Sequence, residues 1–329
     1  MTQAQPHEIV WTLTNAIVAS KCLHVIAELG VADALGTDPV SATELASSTG
    51  ADADALDRAL RLLAAHGVFQ PENGCFRHTP ASELLRSDHP MSMRAFARMM
   101  GLPVVSATFG ELEHSIRTGS PAVEKLESDG FWAYLQDHPD EAHIFGQAMT
   151  AKATADIAAI LDAYDFSRLG TIADIGGGRG HLLRAVLDAV PTAQGILFDL
   201  PGVIDALDFE HGRLRPLAGD FFVDPLPAAD AYLLMEVLHD WADEQSVEIL
   251  SAIRRAAEPG ATVLIIENVL TDDEPDPRGQ TLDLIMLAVT GGRERTPTEL
   301  NELFGRAGLS EGSAIETAGP LRVFEARTV

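Results

Sequence analysis

Residues 171–180 read TIADIGGGRG, an apolar run that ends in an acid and then a loop of four glycines around one arginine. A short apolar run closed by glycines reads as a buried strand, and HLLRAVLDAV at 181–190 has the spacing of a helix. Strand, glycine turn and helix open a parallel α/β sheet, because glycine allows the tight turn and lets a ligand approach the backbone. Downstream the alternation continues. QGILFDL (194–200), LRPLAGDFF (214–222), DAYLLMEVL (230–238) and ATVLIIENVL (261–270) are four more strands. EQSVEILSAIRRAAEPG (244–260) is a helix stopped by Pro259-Gly260, and GQTLDLIMLAV (279–289) and TPTELNELFGRAGL (296–309) are helices. SAIETAG and LRVFEARTV close the chain as a hairpin. The fold class is therefore α/β: a Rossmann-like sheet covered on both faces, parallel except for one antiparallel strand.

Upstream of residues 160–172 the pattern is mostly helical. Ile9, Leu13, Ile17, Lys21 and Val25 step by four beside Val10, Val18, Cys22, Ile26 and Leu29, which gives one long helix with a broad apolar face, ended by Gly30. Ser41 or Thr43 is placed to cap a short helix that Gly50 stops, and Asp52 or Asp54 to cap the next, which buries Leu56, Leu60, Leu63 and Ala64. PENG then turns into GCFRHTP, a short strand. Helix, turn, helix and β-turn resemble a winged helix. Its second helix offers Arg58 and Arg61 against Asp52, Asp54 and Asp57, a poor balance for reading DNA. Three regions are expected: 1–100, a winged-helix-like structural or dimerising domain; 101–160, a helical linker with bulky residues able to line a pocket for a flat ligand; and 161–329, the α/β domain.

The 329 residues suit two domains of about 100–200 residues each. Forty-nine acidic against 23 basic residues give a net charge of −26, which repels nucleic acid and anionic membrane surfaces. The two cysteines, Cys22 and Cys75, make neither a disulfide framework nor a metal cluster. MTQAQPHEIVWTL does not read as a signal peptide, and no segment approaches about 18 uninterrupted apolar residues. A cytoplasmic protein is expected. The acidic run DDEPDPR at 272–278 reads as a solvated loop.

Three loops line up along the carboxyl edge of such a sheet, where open α/β sheets bind ligands. The first is the glycine loop. The second carries Asp199, whose carboxylate can accept both hydroxyls of a ribose, and the third is Gly219-Asp220-Phe221-Phe222, where an acid beside a ring suits adenine. A nicotinamide enzyme would also show a glycine loop. Asp174, just before the glycines, favours a cationic sulfonium ligand over a pyrophosphate and so points to S-adenosylmethionine; it can at the same time hydrogen-bond the loop backbone. Past the fourth strand, Leu238-His239-Asp240-Trp241 supplies a histidine able to take the proton of an attacking hydroxyl. Such a base needs an orienting partner on its other nitrogen, and Glu267 and Glu294 are both candidates. Asp240 alternatively caps the following turn or helix, and Trp241 packs. No metal constellation is visible.

In this order and spacing IADIGGGRG, FDLP, GDFF, LLMEVLHDW, LIIEN and GGRERT resemble the caffeate/hydroxyindole-type O-methyltransferases of plants and bacteria, over nearly the whole chain. The resemblance implies a class I methyltransferase fold that uses S-adenosylmethionine without a metal, on a homodimer whose winged-helix-like domain does not bind DNA. It implies a small aromatic or polyketide-like acceptor, as in secondary metabolism. His239 matches the general base, with Glu267 and Glu294 as flanking carboxylates. Cofactor candidates are Asp174, Gly176, Gly178, Asp199, Leu200, Gly219, Asp220, Phe221, Phe222 and Met235. Acceptor candidates are Trp132, Phe145, Met149, Asp240, Met286 and Thr290, joined by the partner subunit's N-terminal helix. Two departures stand out. Where many relatives carry Lys or Arg three or four residues before the histidine, this chain has Met235 and Glu236, and Val289-Thr290 replaces a His-Asn pair of the plant members. The alternatives are C- or N-methylation or a non-methylating reaction on the same scaffold, a nicotinamide oxidoreductase, and a DNA-binding regulator.

Overall fold

The computed structural model describes residues 5–208, 210–271 and 276–329, without the side chain of Ala155. The chain forms two compact units: Met1–Ser106 with His143–Lys152, and Ala107–Ala142 with Ala153–Val329. Most of the acidic run at 272–278 lies outside the described residues. Its end is not loop: Asp276 caps the Pro277–Val289 helix by accepting from the Arg278 and Gly279 N–H groups.

The first unit opens with the Pro6–Glu28 helix, with proline in its first turn and left-handed Gly30 just past its end. Of its residues only Ile26 and Ala27 are buried. The apolar row stays in solvent: Leu13 is 72% exposed and Ile17 64%, with Ile9, Val10, Trp11, Val18 and Val25 exposed beside them. The helix is long and apolar enough to cross a membrane, although Thr12, Thr14, Asn15, Ser20 and Lys21 interrupt it. Ser41 and Glu44 make a capping box for Ala42–Thr49, Gly50 ends that helix, and Asp52 caps Ala53–Ala65. The wing is a three-stranded sheet of β1 (Val40–Ser41), β2 (Phe69–Glu72) and β3 (Cys75–His78), in the order β1-β3-β2. Asn73 and Gly74, both at positive φ, turn the β2–β3 hairpin, as an Asn-Gly pair does. Leu35, Leu45, Leu60, Leu63, Phe69 and Phe76 fill the core, with Ala64 half-buried at its border.

The second unit contains a seven-stranded sheet. Its strands are β4 (Thr171–Ile175), β5 (Gln194–Asp199), β6 (Leu214–Ala218), β7 (Ala231–Met235), β8 (Thr262–Asn268), β9 (Ser313–Glu316) and β10 (Leu321–Arg327), in the order β6-β5-β4-β7-β8-β10-β9. β10 runs antiparallel between β8 and β9, and the other pairings are parallel, so the expected architecture holds. Both faces are covered. Ile249, Leu250 and Ile253 of the Asp243–Ala256 helix join Leu300, Leu303 and Phe304 of the Pro297–Ala307 helix on one face. Leu183, Val186 and Leu187 of the His181–Ala189 helix cover the other with Ile160. β8 is buried along all seven residues, which is why its sequence is a continuous apolar run. The chain leaves β4 toward β5 and β6, then crosses to the other side for β7. The switch point therefore lies between the carboxyl ends of β4 and β7, where the glycine loop and His239 follow.

Candidate active site

The glycine loop owes its shape to three left-handed residues, Gly176, Gly178 and Gly180, at φ 68°, 58° and 69°. Gly177 is needed for a different reason. A Cβ there would stand 2.5 Å from the Asp174 carboxyl. Asp174 is 2% exposed. Burial, with the nearby Asp199 carboxylate adding to it, pushes its pKa up to about 7. At the end of β5 the Asp199 carboxylate accepts from the N–H groups of Gly178 and Leu200, both at 2.7 Å. Burial raises its pKa, and those two bonds offset part of the rise. Beyond β6, Asp220 accepts the Phe222 N–H at 2.9 Å and its own N–H is held by Asp224. This folds the loop so that Phe221 meets Phe222 and Trp241 edge to face, with centroids 4.8 and 5.7 Å apart. Met235 is the last residue of β7, half-buried.

Beyond β7 the chain turns sharply. Glu236 takes a left-handed conformation (φ 54°), strained for a residue with a side chain by about 1–3 kcal/mol. Leu238–Asp240 forms a 3-10 turn in which His239 is buried. Its Nδ1 meets Glu294 Oε1 at 2.8 Å, while Glu267 Oε2 stands 3.7 Å away. Glu267 instead spends Oε1 on the turn, accepting the N–H groups of Val237 (3.2 Å) and Leu238 (2.9 Å). Glu294 is the orienting partner by distance, and Glu267 anchors the turn. With Nδ1 engaged, Nε2 is the nitrogen left for chemistry, and its ionic neighbour, Asp240 Oδ1, lies at 3.9 Å.

Burial alone would lower the imidazole pKa, but Glu267, Asp240 and Glu294 outweigh it and lift it to about 10. Burial also pushes Glu267 up to about 8, against the pull of His239. His239 and Glu267 titrate together and hold on to protons.

Several residues that build this site were not singled out in the sequence. Asn268 donates to Glu294 Oε2 at 3.3 Å, and Asp283 accepts the Glu294 N–H at 2.9 Å. Gly292 lies so close to the turn that carries His239 that a Cβ would sit 2.0 Å from the His239 carbonyl oxygen. Arg295, 3% exposed, donates to the carbonyls of Leu238 and Trp241. The signal available was the compactness of GGRERT and the Asn after Glu267 in LIIEN. The Asp243–Ala256 helix has Ala242 at its N-cap, two residues beyond Asp240.

Of the residues expected to meet the acceptor, Trp132 stacks on Trp241 with centroids 6.4 Å apart and rings inclined by 26°. Met286 is buried on the Pro277–Val289 helix. Thr290 Oγ1 donates to the Met286 carbonyl and accepts the Gly292 N–H, so its hydroxyl helps close that helix. Phe145 and Met149 lie one turn apart, half-buried, in the part of the Pro139–Ala163 helix that belongs to the first unit.

Comparison with known proteins decides the family. Residues 109–310 match the family model of an O-methyltransferase domain, and residues 11–88 that of an O-methyltransferase dimerisation domain. The chain belongs to the O-methyltransferase family. It is 40% identical over 317 residues to the phenazine O-methyltransferase PhzM of Lysobacter antibioticus, covering 94% of this chain and 93% of that protein. It is 36% identical over 334 residues to the mitomycin biosynthesis 6-O-methyltransferase of Streptomyces lavendulae, covering 99% and 95%. A solved relative is the O-methyltransferase NcsB1 from neocarzinostatin biosynthesis, in complex with S-adenosylmethionine and 2-hydroxy-5-methyl naphthoic acid. It matches with a TM-score of 0.80 at 37% identity, over 95% of this chain and 96% of that one.

The enzyme is thus an S-adenosylmethionine-dependent O-methyltransferase of class I fold, as the motifs led us to expect. Its own geometry fits that cofactor. The glycine loop, open beside Gly178 where a Cβ would meet nothing within 4 Å, adjoins two carboxylates, buried Asp174 and half-buried Asp199, suited to a ligand that carries hydroxyls, an ammonium and a sulfonium rather than phosphates. Among the described residues no cluster of three or more metal-ligating side chains occurs.

Proposed function

We propose that the enzyme methylates a hydroxyl of a flat aromatic or polyketide-derived molecule, with His239 as general base. The observation that carries this is the 2.8 Å contact between His239 Nδ1 and Glu294 in a buried turn at the sheet's switch point. When bound, the cofactor would supply an electrophilic methyl group on a cationic sulfur, which is left as a neutral thioether. The chain's part is to prepare the nucleophile. Glu294 fixes the ring with Nδ1 as donor, so that Nε2, once it has released its own strongly held proton, can take the acceptor's proton as its oxygen forms the new bond to carbon. Glu267 holds the turn through two peptide N–H groups, and Asp199 is placed to bind ribose hydroxyls in a loop already braced by the Gly178 and Leu200 amides. Phe221 and Phe222, after β6, and Trp241, after β7, pack edge to face as an apolar wall that would keep water from the reacting atoms.

Relatives named for a phenazine and a mitomycin, and one bound to a naphthoic acid, support a flat acceptor. The dimerisation-domain match and the exposed row from Ile9 to Val25 support a homodimer through the first helix, whose partner copy would reach the acceptor pocket. In that reading Met286 borders the acceptor. Two free, half-buried cysteines suit a cytoplasmic enzyme.

Mass spectrometry of reactions with a panel of phenols and hydroxyquinones tests the proposal. One added methyl on oxygen per turnover is expected, and methyl on carbon or nitrogen would refute it. The His239→Ala variant is expected to bind cofactor normally and lose about 10²–10⁴ in turnover. Full activity in that variant removes His239 as the base.

A further inference from the structure

We propose that Arg295 is a positioning residue for the transfer: one side chain clamps the turn that carries His239 while its own peptide carries Glu294, so that it sets the imidazole–carboxylate distance. This rests on the reading of His239 as base. The Arg295 side chain is 2% exposed, yet among the described residues only one carboxylate, Asp243, meets it, at 2.8 Å. Its other strong bonds go to main-chain carbonyls, Nη1 to Leu238 at 2.9 Å and Nη2 to Trp241 at 2.7 Å. These carbonyls lie on either side of His239. The His239 carbonyl itself accepts the Arg293 N–H at 2.8 Å.

Three carbonyls of the base-bearing turn are thus held by residues 293–295, which also present Glu294. The arginine is tied to the sheet as well, through its bridge to Val269 and the bond from the Leu270 N–H to its carbonyl. A buried cation is an expensive way to close a loop that apolar packing could close. A planar fork of five donors is, however, well suited to fixing two carbonyls at once, and lysine, a single point of charge, cannot replace it.

The groups that face His239 are Glu294 from the loop, Glu267 from β8 and Asp240 from its own turn. If Arg295 sets the Glu294 contact, loosening it moves one of the three carboxylates away, and the imidazole titrates at lower pH. We would follow the His239 ring by nitrogen-detected NMR in the full-length, cofactor-free protein, and measure S-adenosylmethionine affinity, kcat and KM in parallel, for Arg295→Met and Arg295→Lys. The acceptor probe is 1,4-dihydroxy-2-naphthoic acid.

In Arg295→Met the ring is expected to titrate at least about tenfold more weakly for protons. Turnover should fall about 10²-fold, the size of a roughly 1 Å misplacement, with cofactor affinity and KM within about threefold. Arg295→Lys should show the same changes, smaller. Should Arg295→Met not fold, Arg295→Lys decides. Arg295→Met also deletes a buried positive charge, which by itself strengthens proton binding by the ring; Arg295→Lys keeps that charge, and an unchanged imidazole titration in Arg295→Lys overturns the proposal. The NMR titration needs no turnover, so a wild-type enzyme inactive on every phenol would sink the functional reading while leaving this one answerable.

Discussion

Replacing Asp174 with asparagine is expected to stabilise the cofactor-free enzyme above neutral pH while weakening cofactor binding. The carboxyl is buried against Gly177, and its pKa rises from 3.8 to about 7. Because the folded state holds this proton more tightly than the unfolded chain, the group's favourable contribution is complete below about pH 4. It is lost as pH rises through about 7. The difference between the two pKa values corresponds to about 4 kcal/mol at most. Asparagine resembles the neutral acid in size and polarity and carries no such dependence. The stability gap between variant and wild type should therefore widen by about 2–3 kcal/mol from pH 5 to pH 8. At about 2–4 °C per kcal/mol, that is several degrees. Urea or thermal unfolding of the cofactor-free proteins at pH 5, 6, 7 and 8 measures it, with calorimetric titration of S-adenosylmethionine on the same samples. A gap constant across this range, or a variant less stable than wild type at pH 8, refutes the reasoning: Asp174 would then be satisfied in its ionised form by the loop.

Two further expectations concern the carboxylates and the exposed helix. Glu294→Gln is expected to lower kcat by about 10²-fold or more with little change in cofactor affinity, while Glu267→Gln, which can still accept the Val237 and Leu238 N–H groups through its amide oxygen, loses much less. Steady-state kinetics of the pair decides between the two acids, and equal losses would contradict the division of labour. Leu13→Glu with Ile17→Glu places charges in the exposed apolar row and is expected to yield a monomer by light scattering. A persisting dimer would move the interface elsewhere.

Much of the fold is written locally. The seven strands, the antiparallel closing strand and the helix caps at Ser41 and Asp52 follow from apolar runs, glycines and short polar side chains within a few residues of one another. The apolar row of the first helix is equally plain, but its fate is not. Periodicity shows that Leu13 and Ile17 want cover, and the structure shows that this chain does not cover them. Gly176, Asp199 and His239 were visible because each ends or follows a strand at the ligand edge. Asn268, Asp283, Gly292 and Arg295 were not, because their roles are toward partners distant in sequence and their residue types are common in loops and helix faces.

The sequence by itself determined that a glycine loop, two acids and a histidine would share one sheet edge, since strand order and a parallel sheet bring carboxyl ends together. It left Glu267 and Glu294 as equal claimants on the imidazole. Tertiary structure decided between them. Glu294, 55 residues beyond His239, reaches Nδ1 at 2.8 Å, while Glu267 is turned to the peptide N–H groups of the same turn. That choice depends on how two loops pack against each other, and hydrogen bonding falls away within a few tenths of an ångström, a precision that no spacing of residue types encodes.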